Sequence, residues 1–121
     1  MVKKDIEERT LNFSIRIVNL CKLLRENGGT GYDLSQQLIR SGTSIGANVE
    51  KAQNAESKPD FIHEMSISLK EARETNYWLK ILIATEKKLE QRLLPLLNES
   101  NELISILHAI IKNTKNTKAQ N

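Results

Sequence analysis

Residues 62 to 83 carry apolar side chains at a spacing that only a helix gathers on one side. Ile62, Met65, Leu69, Ala72, Asn76, Leu79 and Ile83 step by 3-4-3-4-3-4. In a helix these positions form one seam, whereas in a strand they scatter over both faces. The segment must therefore bury that seam against other helices. Asn76 is polar within it, and such a residue fixes register or partner at some cost in stability. Phe61 and Leu82 flank the seam, and Tyr77, Trp78 and Ile81 lie off it. A Trp outside the main stripe points to burial against something else, such as a neighbouring subunit. The segment opens at Ser57-Lys58-Pro59-Asp60, which reads as an N-cap, a first-turn proline and an acid suited to the helix dipole. It closes around residues 85–88.

Three more segments repeat the logic. The first covers about residues 4–27, with Ile6, Phe13, Ile17, Leu20, Cys21 and Leu24 on one face. Leu11, Ile15 and Val18 form a second apolar strip beside it, which implies contacts on two sides. Asn27-Gly28-Gly29 stops this helix. The second is expected to start near Tyr32 or Asp33, with Asp33 and Gln36 as a capping box. Its phase runs through Leu34, Leu38, Ile45, Val49 and Ala52. The last carries Leu93, Leu96, Leu97, Leu103, Ile104, Leu107, Ile110 and Ile111, and Pro95 is expected to start or kink it. Such a set predicts an all-α fold, an antiparallel up-down four-helix bundle over residues 1–112. Residues 113–121 form a basic polar tail expected to be disordered.

The second segment contains SGTSIGAN, residues 41–48. Its glycines do not make a phosphate loop, which needs G-x-x-x-x-G-K-[ST]. The helical phase passes through without slipping, so Gly42 and Gly46 read as helix interior. Each costs roughly 1 kcal/mol relative to alanine. Such glycines usually permit close approach, as in small-xxx-small helix packing.

Of the 121 residues, aromatics make up only 4%, which favours helices over a sheet. Formal net charge is +3, mildly basic and compatible with nucleic-acid binding without requiring it. The positive excess lies towards the ends: residues 1–27 hold six basic and four acidic groups, and residues 112–121 hold three lysines and no acid. Lys3, Lys4, Arg9, Arg16, Lys22, Lys112, Lys115 and Lys118 are the candidate nucleic-acid contacts. Arg9 and Arg16, seven apart, share a side of the first helix. With few aromatics, such binding is expected to engage backbone and shape rather than unpaired bases.

The single Cys21 lies among leucines and reads as a buried thiol. The N-terminal residues lack an apolar signal core. No apolar run reaches the ~20 residues that span a bilayer, so a cytoplasmic location is expected. His63-Glu64 does not open H-E-x-x-H, because position 67 is Ile, and His108 has Ser105 rather than Glu three residues before it. No metal, cofactor or small-molecule substrate is implied. Glu71, Arg73 and Glu74 read as a solvated face with local ion pairs, or as inter-subunit pairing. A catalytic role has no supporting base or nucleophile.

The run from Gln37 to Leu82 resembles the bacterial four-helix-bundle family named for 23S rRNA intervening sequences. Arg40, Ser44, Ile45, Asn48, Val49 and Glu50 carry the likeness, then Ser57, Phe61, Ile62, Leu69, Glu71 and Glu74. The resemblance covers about residues 5–112. It implies a small cytoplasmic bundle that forms homopentameric rings, without enzymatic activity. Some family members are encoded within insertions of the large-subunit rRNA gene, which does not make them parts of the ribosome. A related branch, the accessory proteins of diversity-generating retroelements, forms basic pentamers that bind nucleic acid and a reverse transcriptase. This chain is only mildly basic by comparison. Gly42 and Gly46 read as helix-packing contacts and Tyr77 and Trp78, off the seam, as subunit contacts; the likeness suggests polar helix or subunit contacts for Arg40 and Asn48 too, with Glu71 and Glu74 as partners for Arg40. The expected function is a homo-oligomeric bundle associating with RNA or DNA backbone. The alternative is a protein-interaction scaffold with no nucleic-acid role.

Overall fold

A computed structural model describes the backbone of residues 2–117 and the side chains of residues 5–117. The described residues form four long helices and no strand: α1 (Val2–Asn27), α2 (Gly29–Gln53), α3 (Lys58–Thr85) and α4 (Glu90–Asn116), with one 3-10 turn at Lys87–Leu89 leading into α4. The chain is a four-helix bundle. Its core is apolar: Phe13, Ile17, Leu38, Ile45, Met65, Leu79, Leu103 and Leu107 are fully buried. These are the positions that the 3-4 periodicity placed inward.

The link between α1 and α2 is shorter than the sequence suggested. Gly28 and Gly29 both have positive φ, at 72° and 66°, which glycine adopts without penalty. They reverse the chain in one step, so α2 begins at Gly29 rather than at Tyr32 or Asp33. Gly28 is the N-cap and no side chain caps the helix. The capping box expected from Asp33 and Gln36 does not form, because both residues are already inside the helix and exposed.

Ser57 caps α3 as expected: its Oγ accepts a hydrogen bond from the Asp60 N–H at 3.2 Å, with Pro59 in the first turn. Of the seam, Met65, Ala72, Asn76 and Leu79 are buried, while Ile62, Leu69 and Ile83 pack partly buried against the core. A second buried line, Ser68, Thr75 and Leu82, also faces inward.

Pro95 neither starts α4 nor ends it; it lies inside the helix. Pro95 and Gln91 are both exposed, so the carbonyl that loses its intrahelical partner stays open to water. The helix also outlasts the apolar pattern. It runs past residue 112 to Asn116, so residues 113–116 are helical rather than part of a disordered tail. Thr114 is half-buried and returns its hydroxyl to the Ile110 carbonyl at 2.7 Å. The Lys58 ammonium donates to the Thr117 carbonyl. The remainder of the expected tail, Lys118 included, lies outside the described residues, as do the side chains of Lys3 and Lys4.

Candidate functional site

The small residues of α2 face α1. A Cβ added to Gly42 would stand 2.9 Å from Ile17 Cγ2, and one on Gly46 would stand 3.2 Å from the Thr10 carbonyl oxygen. Gly31 is likewise closed off by Leu24. SGTSIGAN is therefore the waist where two helix backbones approach. Along its length Thr43, Ser44 and Asn48 serve the helix itself. Thr43 donates to Ile39 O, Ser44 to Arg40 O, and Asn48 Nδ2 to Ser44 O at 2.8 Å. Asn48 thus makes a contact within α2.

Buried hydroxyls tie α2 to α3. Ser68 Oγ donates to the Ile45 carbonyl at 2.8 Å. Thr75 and Ser41 share a hydroxyl contact of 2.8 Å. Each satisfies a polar group that burial would otherwise make costly. Between α3 and α4, Asn76 Nδ2 donates to Ser100 Oγ and to Asn101 Oδ1, both at 2.8 Å. The polar residue in the apolar seam is thus a register pin within one chain.

Charged clasps close the outside. Arg40 of α2 reaches Glu71 at 3.3 Å and also bonds Glu74, both on α3. Glu74 Oε2 accepts a further bond from Trp78 Nε1 at 3.0 Å. Arg40 therefore pairs with the carboxylates suggested for it, across a helix seam of the same chain. Trp78 is half-buried against its own core and meets exposed Tyr77 edge-on at 5.5 Å. Across the α1–α4 seam, Arg9 holds Glu99 in a two-point pair at 3.0 and 2.7 Å and reaches Glu102 at 3.3 Å. The Glu99 bond raises the Arg9 guanidinium pKa above its ordinary value. Arg9 is consequently occupied by carboxylates. Arg16, Lys22, Lys112 and Lys115 are exposed and form no ion pair among the described residues.

Nothing local in the sequence marks Glu99 and Glu102 as partners of Arg9, since 90 or more residues separate them. The buried Ser68 and Thr75 were missed because polar residues carry no hydrophobic signal; the seven-residue step from Ser68 to Thr75 to Leu82 was the available clue.

Cys21 is buried and donates weakly to the Ser35 carbonyl at 3.5 Å. Burial pushes its pKa up to about 11, with Arg25 pulling slightly the other way. Both histidines are exposed. Among the described residues no group of three or more His, Cys, Asp or Glu is arranged to hold a metal. No helix among them is long and apolar enough to cross a membrane.

Four long helices locked by small-residue packing, buried hydroxyls and charged clasps define a small helical-bundle protein. Residues 3–109 match the family described as 23S rRNA-intervening sequence protein, and the chain belongs to that family. Among solved structures it is similar to a protein of unknown function from the S23 ribosomal protein family of Bacteroides thetaiotaomicron VPI-5482. The two are 42% identical with a TM-score of 0.84, over 93% of this chain and 99% of that one. Comparison with curated proteins gives no match.

Proposed function

We propose that the chain is a non-enzymatic bundle, its helices running up, down, up and down, that joins copies of itself into a ring. The ring associates with RNA or DNA backbone in the cytoplasm. The observation that carries the assembly is the second apolar strip of α1. Leu11 is 55% exposed and Ile15 50% exposed, with half-buried Val18 beside them. One chain leaves that strip without a partner, and a second copy covers it. The subunit number, five, rests on the family resemblance.

The up-down course is supported by pairs whose numbers fall on one helix as they rise on the next: Leu24 with Gly31, Ile17 with Gly42 and Thr10 with Gly46. The non-enzymatic reading is supported by the groups that could have done chemistry. Glu71 and Glu74 are held by Arg40, and the Cys21 thiol is buried and protonated at neutral pH. Backbone association is assigned to cations that no carboxylate holds among the described residues: Arg16, Lys22, Lys112 and Lys115. A ring multiplies those contacts. The exposed strip also fits a protein-interaction scaffold, the second reading.

Light scattering on the eluting protein tests the assembly. A mass several times the 13.8 kDa chain is expected, falling to one chain, still helical, for Leu11→Glu/Ile15→Glu. A monomeric wild type overturns the ring. Binding to a labelled structured rRNA fragment and a random duplex at two salt concentrations tests the partner. Steep weakening with salt is expected. No binding at low salt removes nucleic acid and leaves the scaffold.

A further inference from the structure

The outer side of the α3–α4 seam is basic along its length. On α3 the exposed stripe one step out from Asn76 holds Lys70, Arg73, Tyr77 and Lys80, at helical spacings of three and four. On α4 the matching stripe runs from Asn101, the partner of Asn76, through Ser105 and His108 to Lys112 and Lys115. Neither stripe contains Asp or Glu. None of these five cations is in an ion pair among the described residues.

The carboxylates that border this face are paired with arginines of other helices. Arg40 holds Glu74 on the α2 side, and Arg9 holds Glu102 on the α1 side. Tyr77 stands among the α3 cations, 58% exposed, and Trp78 supports it edge-on. Lys70 and Lys80 lie about 15 Å apart along the helix, from a rise of ~1.5 Å per residue. A line of free cations with an exposed aromatic ring among them matches a single nucleic-acid strand, whose phosphates pair with the cations while a base stacks on the ring.

We propose that the α3–α4 face binds single-stranded RNA or DNA, with Lys70, Arg73 and Lys80 on the phosphates and a base on Tyr77. The assignment rests on the nucleic-acid reading above but moves the main contact from α1 to α3, and it restores a stacking role that the scarcity of aromatics had argued against.

The test is binding of poly(U) and poly(dT) to the intact protein across a salt series. Wild type is expected to bind a strand more tightly than a random duplex. Lys70→Gln/Arg73→Gln/Lys80→Gln should lower the slope of log affinity against log salt by about 2, at ~0.7 per phosphate contact. Tyr77→Ala should weaken binding by roughly tenfold with the slope unchanged, and Tyr77→Phe should bind as wild type. All four positions are solvent-facing, so circular dichroism should show an intact bundle in each variant. A triple variant that binds as wild type, while Arg16→Gln/Lys22→Gln loses affinity, overturns this face and leaves the nucleic-acid reading on α1. Tighter binding to duplex overturns the strand assignment. A wild type that binds neither the strands nor the duplex at low salt overturns both readings.

Discussion

Gly46 of α2 lies against the backbone of Thr10 on α1, so close that a Cβ would sit 3.2 Å from the Thr10 carbonyl oxygen. In an unpacked helix, Gly→Ala stabilises by about 1 kcal/mol. Here the obstacle is main chain, which cannot rotate aside. Gly46→Ala is expected to destabilise by about 1–2 kcal/mol, within the range for overpacked cores. Urea denaturation gives the sign directly; a gain in stability would mean that the helices separate easily. Gly42→Ala should lose stability too, and Ile17→Ala should cost less in that background than in wild type, because it removes the obstructing methyls.

Arg40 joins two carboxylates at once. Arg40→Ala should cost about 1 kcal/mol, the ordinary scale for a half-exposed ion pair. Arg40→Lys should recover only part, since an ammonium lacks the planar fork that spans Glu71 and Glu74. Thermal melts at low and high salt check this. Equal stability of the Lys and Arg forms would reduce the clasp to a point charge.

Asn76 should matter more than an exposed polar residue does. Asn76→Ala removes two donated bonds inside the bundle and is expected to cost about 2 kcal/mol. Asn76→Leu should be better tolerated, because it refills the seam and Ser100 keeps its bond to the Leu97 carbonyl. Denaturation of both variants separates loss of packing from loss of the pin.

The thiol of Cys21 gives a pH signature. Its folded pKa is raised from 9.0 to about 11 by burial, while the unfolded chain titrates near the ordinary value. Its contribution to stability is therefore complete below pH 9.0 and is lost as pH rises towards 11. Stability measured against pH should fall across that window more in wild type than in Cys21→Ala. At neutral pH a thiol reagent should label Cys21 only after denaturation.

Much of this bundle was legible from spacing. The four helices, the core positions and the Ser57 cap follow from periodicity and capping chemistry that act within a few residues. The glycine waist was readable because helix formers continue past it. What escaped was either polar and buried or distant in sequence. Ser68 and Thr75 have no apolar signature, and Arg9 could not be matched to Glu99 before the fold brought α1 beside α4. Asp33 misled because a good capping residue lost to a glycine reversal four residues earlier. The basic α3 stripe was hidden by neighbours: Glu71 and Glu74 balance its charge in the sequence, and only the fold pairs them with Arg40.

The reversal between α1 and α2 rests on Gly28 and Gly29, both at positive φ. Without that conformation nothing in the sequence compels a turn, because helix-compatible residues stand on both sides. A β-branched residue at each position would favour one straight rod of some fifty residues, about 75 Å long at ~1.5 Å per residue. Two such rods could complete each other's bundles by exchanging arms. The glycine pair thus decides whether α1 folds back onto its own chain or onto another.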